Sequence, residues 1–183
     1  MLGDTFPTVL AAAREGAEWA WAQLYRELAP SVLGYLRARG AAEPEDVAGE
    51  VFLQVVRDLP RFEGGESDFR SWVFTIAHHR LIDDARRSAR RPVEPAAEVS
   101  EWQASAEDAE EGVTRALASE RVIWILGELA PDQRDVLLLR VVGGLTVSEV
   151  ASTVGKSEGA VKALQRRGLA QVKKALAAEG VPL

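Results

Sequence analysis

Apolar positions along this chain recur at helical spacing and almost nowhere in the two-residue alternation of a half-buried strand. Trp21, Leu24, Tyr25 and Leu28 mark a helix over 17–28, and Pro30 allows a new helix start running to about Arg39. Val47, Val51, Phe52, Val55 and Leu59 form the stripe of a helix that opens at Pro44 with acids in its first turn and closes at Pro60. The glycine-rich stretch "RFEGGESD" reads as a loop, with Ser67 and Asp68 placed to cap the following helix. That helix carries Phe69, Trp72, Val73, Ile76 and Ala77 at core spacing.

Leu117, Val122, Ile125, Leu126 and Leu129 predict a further helix over 113–129, and Pro131 begins "PDQRDVLLLRVV" before "GGL" breaks the chain. Thr146 and Glu149 form the S/T-x-x-E capping box of the short helix "VSEVASTV". Gly155 supplies a turn, and Ser157 caps a final helix running to about Ala178. A capped short helix, a tight turn and a second capped helix describe a helix-turn-helix, whose second helix enters the major groove with its N-terminal residues at the bases. Val161, Leu164 and Leu169 are expected on its inner side, leaving Lys162, Gln165 and Arg166 outward. A plain helical hairpin with a solvated basic face would also be basic, but it would not require both caps and the turn glycine.

Composition narrows the setting. At 183 residues and 47% hydrophobic content the chain can bury a core as one domain or two small ones. It has no cysteine, which excludes disulfides and thiolate metal sites and suits a reducing compartment. No basic region precedes an apolar run at the start, and no apolar stretch approaches the roughly 18 residues a bilayer span needs. A cytoplasmic, soluble protein is expected, with no membrane partner. The net charge of -6 is unevenly spread: residues 1–91 carry -2, 92–112 carry -7 and 113–183 carry +3. The acidic segment holds two prolines and little periodicity, so it reads as a linker, although Glu107–Glu111 would also suit the first turn of the next helix. The expected fold is all-α: two small helical domains, 10–91 and 113–178, joined by an acidic linker over 92–112.

The stretch "FRSWVFTIAHHRLIDDARR" concentrates the unusual chemistry of the first domain. His79 and Asp83 share a helix face, but adjacent His78 and His79 diverge by about 100 degrees and cannot chelate together. No nucleophile with its base and no metal-ligand pattern is visible, so neither catalysis nor a metal is expected. Core packing accounts for the aromatic positions. It leaves His78, His79, Arg80, Arg86, Arg87, Arg90 and Arg91 unexplained, and such groups stack on unpaired bases and hold phosphates.

On these residues the chain resembles the extracytoplasmic-function group of bacterial sigma factors, promoter-recognition subunits of RNA polymerase. "EDVAGEVFLQVV" is similar to the family helix that binds the polymerase clamp. "RFEGGESDFRSWVFTIAHHRLIDDARR" is similar to the part that melts and reads the -10 element, and the segment from "LGELAPDQ" to "KKAL" to the domain that reads the -35 element. The resemblance implies core-polymerase contacts for Asp46, Glu50, Phe52 and Gln54. It implies -10 roles for Phe62 and Ser67, in a loop that holds a flipped base, and for Trp72, His78, His79, Arg80, Arg86 and Arg87. It implies -35 roles for Ser157, Lys162, Gln165, Arg166 and Arg167. The implied partners are promoter DNA, the clamp helices of the largest polymerase subunit, the flap of the second largest, and an anti-sigma factor. No cofactor and no metal are implied, and no enzymatic activity.

Three positions depart from the family pattern. His79 stands where relatives have asparagine, which exchanges a neutral amide for a group that can titrate. The loop "FEGGESDF" is one residue longer than "FxGxSxF". Gly49 replaces a frequent glutamine and weakens its helix by up to about 1 kcal/mol relative to alanine. A reading of another class, a stand-alone helix-turn-helix regulator with an N-terminal sensor or dimerisation domain, would bind duplex without polymerase.

Overall fold

The computed structural model describes residues 2–90 and 124–178, and among them every regular element is a helix. The first half contains α1 (Phe6–Arg14), α2 (Glu18–Arg39), α3 (Pro44–Asp58) and α4 (Glu66–Arg90). The second contains α5 (Pro131–Val141), α6 (Val147–Val154) and α7 (Glu158–Ala178), preceded by a helical turn over 124–127. The acidic linker over 92–112 and most of the helix expected over 113–129 lie outside the described residues.

Pro30 does not start a helix; it sits inside α2. Proline denies the preceding turn one hydrogen bond, a penalty of about 3 kcal/mol in an isolated helix interior. Here Leu28, Ala29 and Val32 are buried on either side of it while Pro30 faces solvent, so packing holds both flanks in one axis. Helical packing also begins before Leu10. Phe6 and Val9 of α1 are buried in the first-half core, and the Glu66 carboxylate accepts hydrogen bonds from the backbone N–H groups of Leu2 and Gly3. Of the two residues expected to cap α4, Asp68 does so, reaching back to accept from the Gly65 N–H at 2.8 Å, the return half of a capping box, while Ser67 is exposed within the first turn.

Tyr35, Leu36, Val51, Val55, Val73 and Phe74 are fully buried where α2, α3 and α4 meet. Val136, Leu139, Leu145, Val150 and Val161 form the inner side of the second half. The two sets belong to one contiguous apolar cluster, so the halves lie against each other through α2, α4, α5 and α6.

Candidate nucleic-acid and polymerase interfaces

The second half builds the helix-turn-helix from its caps. Thr146 Oγ1 accepts from the Glu149 N–H at 3.2 Å, and Glu149 Oε2 accepts from the Thr146 N–H at 2.6 Å. Burial pushes the Glu149 carboxyl up, but the Thr146 backbone and hydroxyl and the Ser71 hydroxyl outweigh it and hold its pKa below the ordinary value. Gly155 ends α6 at φ 64, a left-handed turn that glycine adopts without strain. Ser157 Oγ then accepts from the Ala160 N–H at 3.2 Å and opens α7.

The inner face of α7 is Val161, Leu164 and Gly168, not Leu169, which is 48% exposed. The helical period from Val161 returns at 168, where a glycine lets the α7 backbone approach Leu137 so closely that an added Cβ would lie 2.9 Å from its Cδ1. Leu169 falls about 100 degrees further round. The opposite face presents Ser157, Lys162, Arg166 and Arg167 to solvent, with Gln165 half-buried beside them. Lys162 has only a loose pairing with Glu158 at 3.8 Å, and among the described residues Arg166 and Arg167 form no ion pair.

The first half treats its expected DNA residues differently. Phe62 is buried: its ring stacks on Trp72 at 5.0 Å and meets Phe69 edge-on at 5.3 Å, while its carbonyl accepts from Arg14. Trp72 is half-buried, and Ser67 and His79 are exposed. Arg80 Nε donates to Gln54 at 2.8 Å and its guanidinium lies 3.8 Å from Glu50. Arg87 donates to Glu50 at 3.2 and 3.3 Å and to Asp84 at 3.4 Å, and Arg86 lies 3.7 Å from Asp83. Two residues expected to meet polymerase, Glu50 and Gln54, therefore already hold cations expected to meet DNA.

His78 is not on the surface of α4. It is 6% exposed, its Nδ1 is 2.9 Å from the Tyr35 hydroxyl, and Asp135 of α5 lies 3.9 Å away. The divergence of adjacent histidines on a helix explains the difference: with His79 outward, His78 must face in. Burial pushes the His78 pKa down, opposed by Asp135 and assisted by His79 and Arg39. Burial also pushes the Tyr35 hydroxyl upward, so it stays protonated.

Asp46 and Leu53 are exposed on α3, and Phe52 is half-buried with its ring 4.7 Å from Tyr25. Beside them runs an open groove of about 330 Å³ lined by Trp21, Ala22, Tyr25, Phe52, Val56 and Glu18. Leu53 is 72% exposed and Val56 48%, so α3 carries a second apolar strip beside its core stripe. Of the apolar residues in this strip and groove, only Phe52 is assigned to polymerase by its sequence resemblance. The signal for the rest was the run of apolar residues at 51–53 and 55–56, too wide for one buried face.

Sequence reasoning also missed a polar seam between the halves. Arg39 grips Asp135 through two bonds, the longer at 3.0 Å. Arg70 donates to the carbonyls of Val142 and Gly143 at 2.6 and 3.0 Å, and the hydroxyls of Thr75 and Thr153 are 3.0 Å apart. The one legible sign was Asp135, an acid directly before the run Val136–Leu139. Among the described residues no group of three or more His, Asp or Glu side chains is placed to hold a metal ion, and no helix is long and apolar enough to cross a membrane.

Comparison with known proteins agrees with this geometry. Residues 24–91 match the family described as Sigma-70 region 2, and residues 125–174 match Sigma-70, region 4. The ECF RNA polymerase sigma factor SigD of Mycobacterium tuberculosis is 34% identical over 98% of this chain and 88% of its own length. The ECF RNA polymerase sigma factor ShbA of Streptomyces griseus is 34% identical over 88% of this chain and 90% of its own. In fold, the chain is similar to CnrH as solved with the cytosolic domain of CnrY, with a TM-score of 0.66 at 24% identity over 96% and 99% of the two chains. It is likewise similar to the sigma factor RpoE solved with the anti-sigma factor NepR from Bartonella quintana, with a TM-score of 0.60 at 18% identity over 85% and 95%. Two region matches in order, joined to relatives aligned across nearly the whole length, place this chain in the extracytoplasmic-function group of RNA polymerase sigma factors.

Proposed function

We propose that this sigma factor works in the cytoplasm by carrying RNA polymerase core to promoters with paired -35 and -10 elements, catalysing no reaction itself. The observation that carries the reading is the helix-turn-helix whose second helix is anchored through Val161 and Gly168 while Ser157, Lys162, Arg166 and Arg167 stand open to solvent. Those four, with Gln165, read or hold the -35 duplex. In the first half, Trp72, His79 and Arg80 with the 62–67 loop act at the -10 strand, and Arg86 and Arg87 hold its backbone. The Phe62–Trp72 stack is a closed aromatic wall against which a flipped base can rest, which offsets part of the few kcal/mol that flipping requires.

Core polymerase takes the exposed strip of α3. Asp46, Leu53 and Val56 with the Tyr25–Phe52 groove combine an open apolar surface with carboxylate edges, the composition of a protein-binding patch. The clamp helices of the largest subunit are the proposed occupant there, with the flap of the second largest subunit meeting the second half. An anti-sigma factor is the remaining proposed partner, supported by family membership alone.

The test is initiation by purified core on a promoter library with and without this chain. Transcripts that need the chain and share two upstream motifs are expected. Sequence-specific duplex binding with no affinity for core would move the protein to the stand-alone regulators.

A further inference from the structure

The loop from Phe62 to Gly65 has little means of holding itself. Two of its residues are glycine, and Gly64 sits at φ 141, a conformation that residues with a Cβ rarely adopt. The chain leaves the 3-10 turn over Leu59–Arg61 at Phe62, whose φ of -70 and ψ of 132 are extended. A peptide unit is planar, so whatever fixes the Phe62 carbonyl also fixes the direction in which Glu63 sets out.

That carbonyl is held from outside the loop. Arg14, in the last turn of α1 and 48 residues earlier in the chain, donates to it. Arg14 is exposed, and among the described residues it forms no ion pair and no other hydrogen bond. An arginine at a helix end is also suited to the last carbonyls of its own helix. Here those of Ala11, Ala12 and Ala13 already accept from the N–H groups of Glu15, Ala17 and Gly16, which leaves Arg14 to the loop.

The helix that carries Arg14 is a firm base. Phe6, Val9, Leu10 and Ala13 are buried, and the Phe6 ring lies 5.7 Å from that of Phe69. A second tie joins the same segment to the far end of the loop, where the Glu66 carboxylate accepts from the Leu2 and Gly3 N–H groups. Both ends of the loop are thus tied to residues 2–14, which precede the Sigma-70 region 2 match that begins at residue 24.

We propose that Arg14 is a positioning residue for -10 recognition: it fixes the Phe62 carbonyl and, through it, the course of the loop. The proposal rests on the reading above that this loop acts at the -10 strand. The Phe62 ring supplies a wall for a flipped base, and the Arg14 bond keeps the polar backbone of Glu63, Gly64 and Gly65 at one setting against that wall. A bound base is told from its rivals by donors and acceptors held to within about 0.5 Å, and a glycine-rich loop meets that tolerance only when it is tied.

The test compares wild type with Arg14→Ala and with Arg14→Lys, which keeps a cationic N–H donor on a long stem. In the free full-length chain, amide exchange is followed by NMR at Phe62, Gly65 and Phe69, whose N–H groups bond the Leu59 carbonyl, the Asp68 carboxylate and the Gly65 carbonyl. Arg14→Ala should speed exchange there at least about fivefold and leave the buried stretches of α2 and α3 unchanged, and Arg14→Lys should restore protection. Initiation by core is then measured on promoters varied at each -10 and -35 base. Arg14→Ala should lower discrimination at a -10 base at least about fivefold, a small share of the roughly hundredfold that a misplacement of about 1 Å can cost a positioned site. Discrimination at -35 and the salt slope should stay at wild-type values, and Arg14→Lys should recover the -10 preference.

Unchanged exchange at the three amides, a rise spread equally over α2 and α3, or an Arg14→Lys chain no better than Arg14→Ala would overturn the brace. Equal loss on every promoter, or a smaller salt slope with base discrimination intact, would overturn the positioning role and make Arg14 a structural or phosphate-holding group. The exchange readout involves no polymerase, so a wild-type chain that fails to direct core would sink the functional reading while the amides still judge the brace.

Discussion

Arginines of the same chemistry meet opposite fates in α4 and α7. On α4, Arg80 and Arg87 are tied to Gln54 and Glu50 of α3, and Arg86 to Asp83. On α7, Arg166 and Arg167 extend into solvent and form no ion pair among the described residues. The difference comes from the neighbours: α3 presents Glu50 and Gln54 to α4, whereas no acid among the described residues pairs with Arg166 or Arg167 on α7. On the proposed reading, the first half would offer DNA a prepacked surface whose cations must exchange partners. The second offers bare charge, so salt dependence of duplex binding should concentrate there.

The largest effect that could break this contrast is at Phe62. If the -10 surface is prepacked, Phe62→Ala removes a buried ring with two aromatic neighbours and lowers unfolding free energy by about 3 kcal/mol, read by urea titration. It should impair promoter opening in the same variant. An unchanged midpoint would mean that the ring is held loosely and that the pocket stands open.

Arg166→Ala or Lys162→Ala should do the reverse. Each should weaken -35 duplex binding by about 1–3 kcal/mol if it reads a base, or reduce the salt slope if it only holds phosphate, with stability changed by less than about 0.5 kcal/mol. A holoenzyme footprint identical to wild type would remove that residue from the interface. Thr146→Ala comes next, lowering stability by about 1 kcal/mol through loss of the cap, without touching any cation.

A smaller effect separates the halves by pH. His78 is buried with its pKa below the ordinary 6.5, so the unfolded chain takes up a proton that the folded chain resists. Stability should therefore fall as pH drops below 6.5 and keep falling until the lower folded pKa is passed. Glu45 and Glu149, lowered from 4.5 by hydrogen bonds, lose their contribution only in more acidic solution. Urea midpoints taken between about pH 5 and 6.5 isolate the histidine, and His78→Gln should flatten that interval. The smallest effect belongs to Arg87→Ala. Its pairs with Glu50 and Asp84 are exposed, and no measurable shift in the unfolding midpoint is expected.

Much of this was readable from residue order. Helix-period stripes such as Val47–Val51–Val55–Leu59 identify buried faces without knowledge of what they bury against, and all four of those residues are buried. The Thr146–Glu149 box and the Ser157 cap are local, made by residues three apart, so spacing alone predicts them. Pro30 misled because its breaking tendency is local while the packing that overrides it comes from α3 and α4. Leu169 misled because apolarity marked it as inner, when the close approach of α5 demanded the smaller Gly168 one position earlier.

By itself, the sequence determined the helical class, the helix-turn-helix and the family to which the chain belongs. Each depends on periodicity, caps or a motif carried within a few tens of residues. Only the tertiary structure decided that His78 faces inward, that Glu50 and Gln54 restrain arginines of α4, and that Asp135 meets Arg39 across a separation of 96 residues. Burial and pairing of a charged group depend on what arrives opposite it from distant chain, and no local pattern encodes that partner.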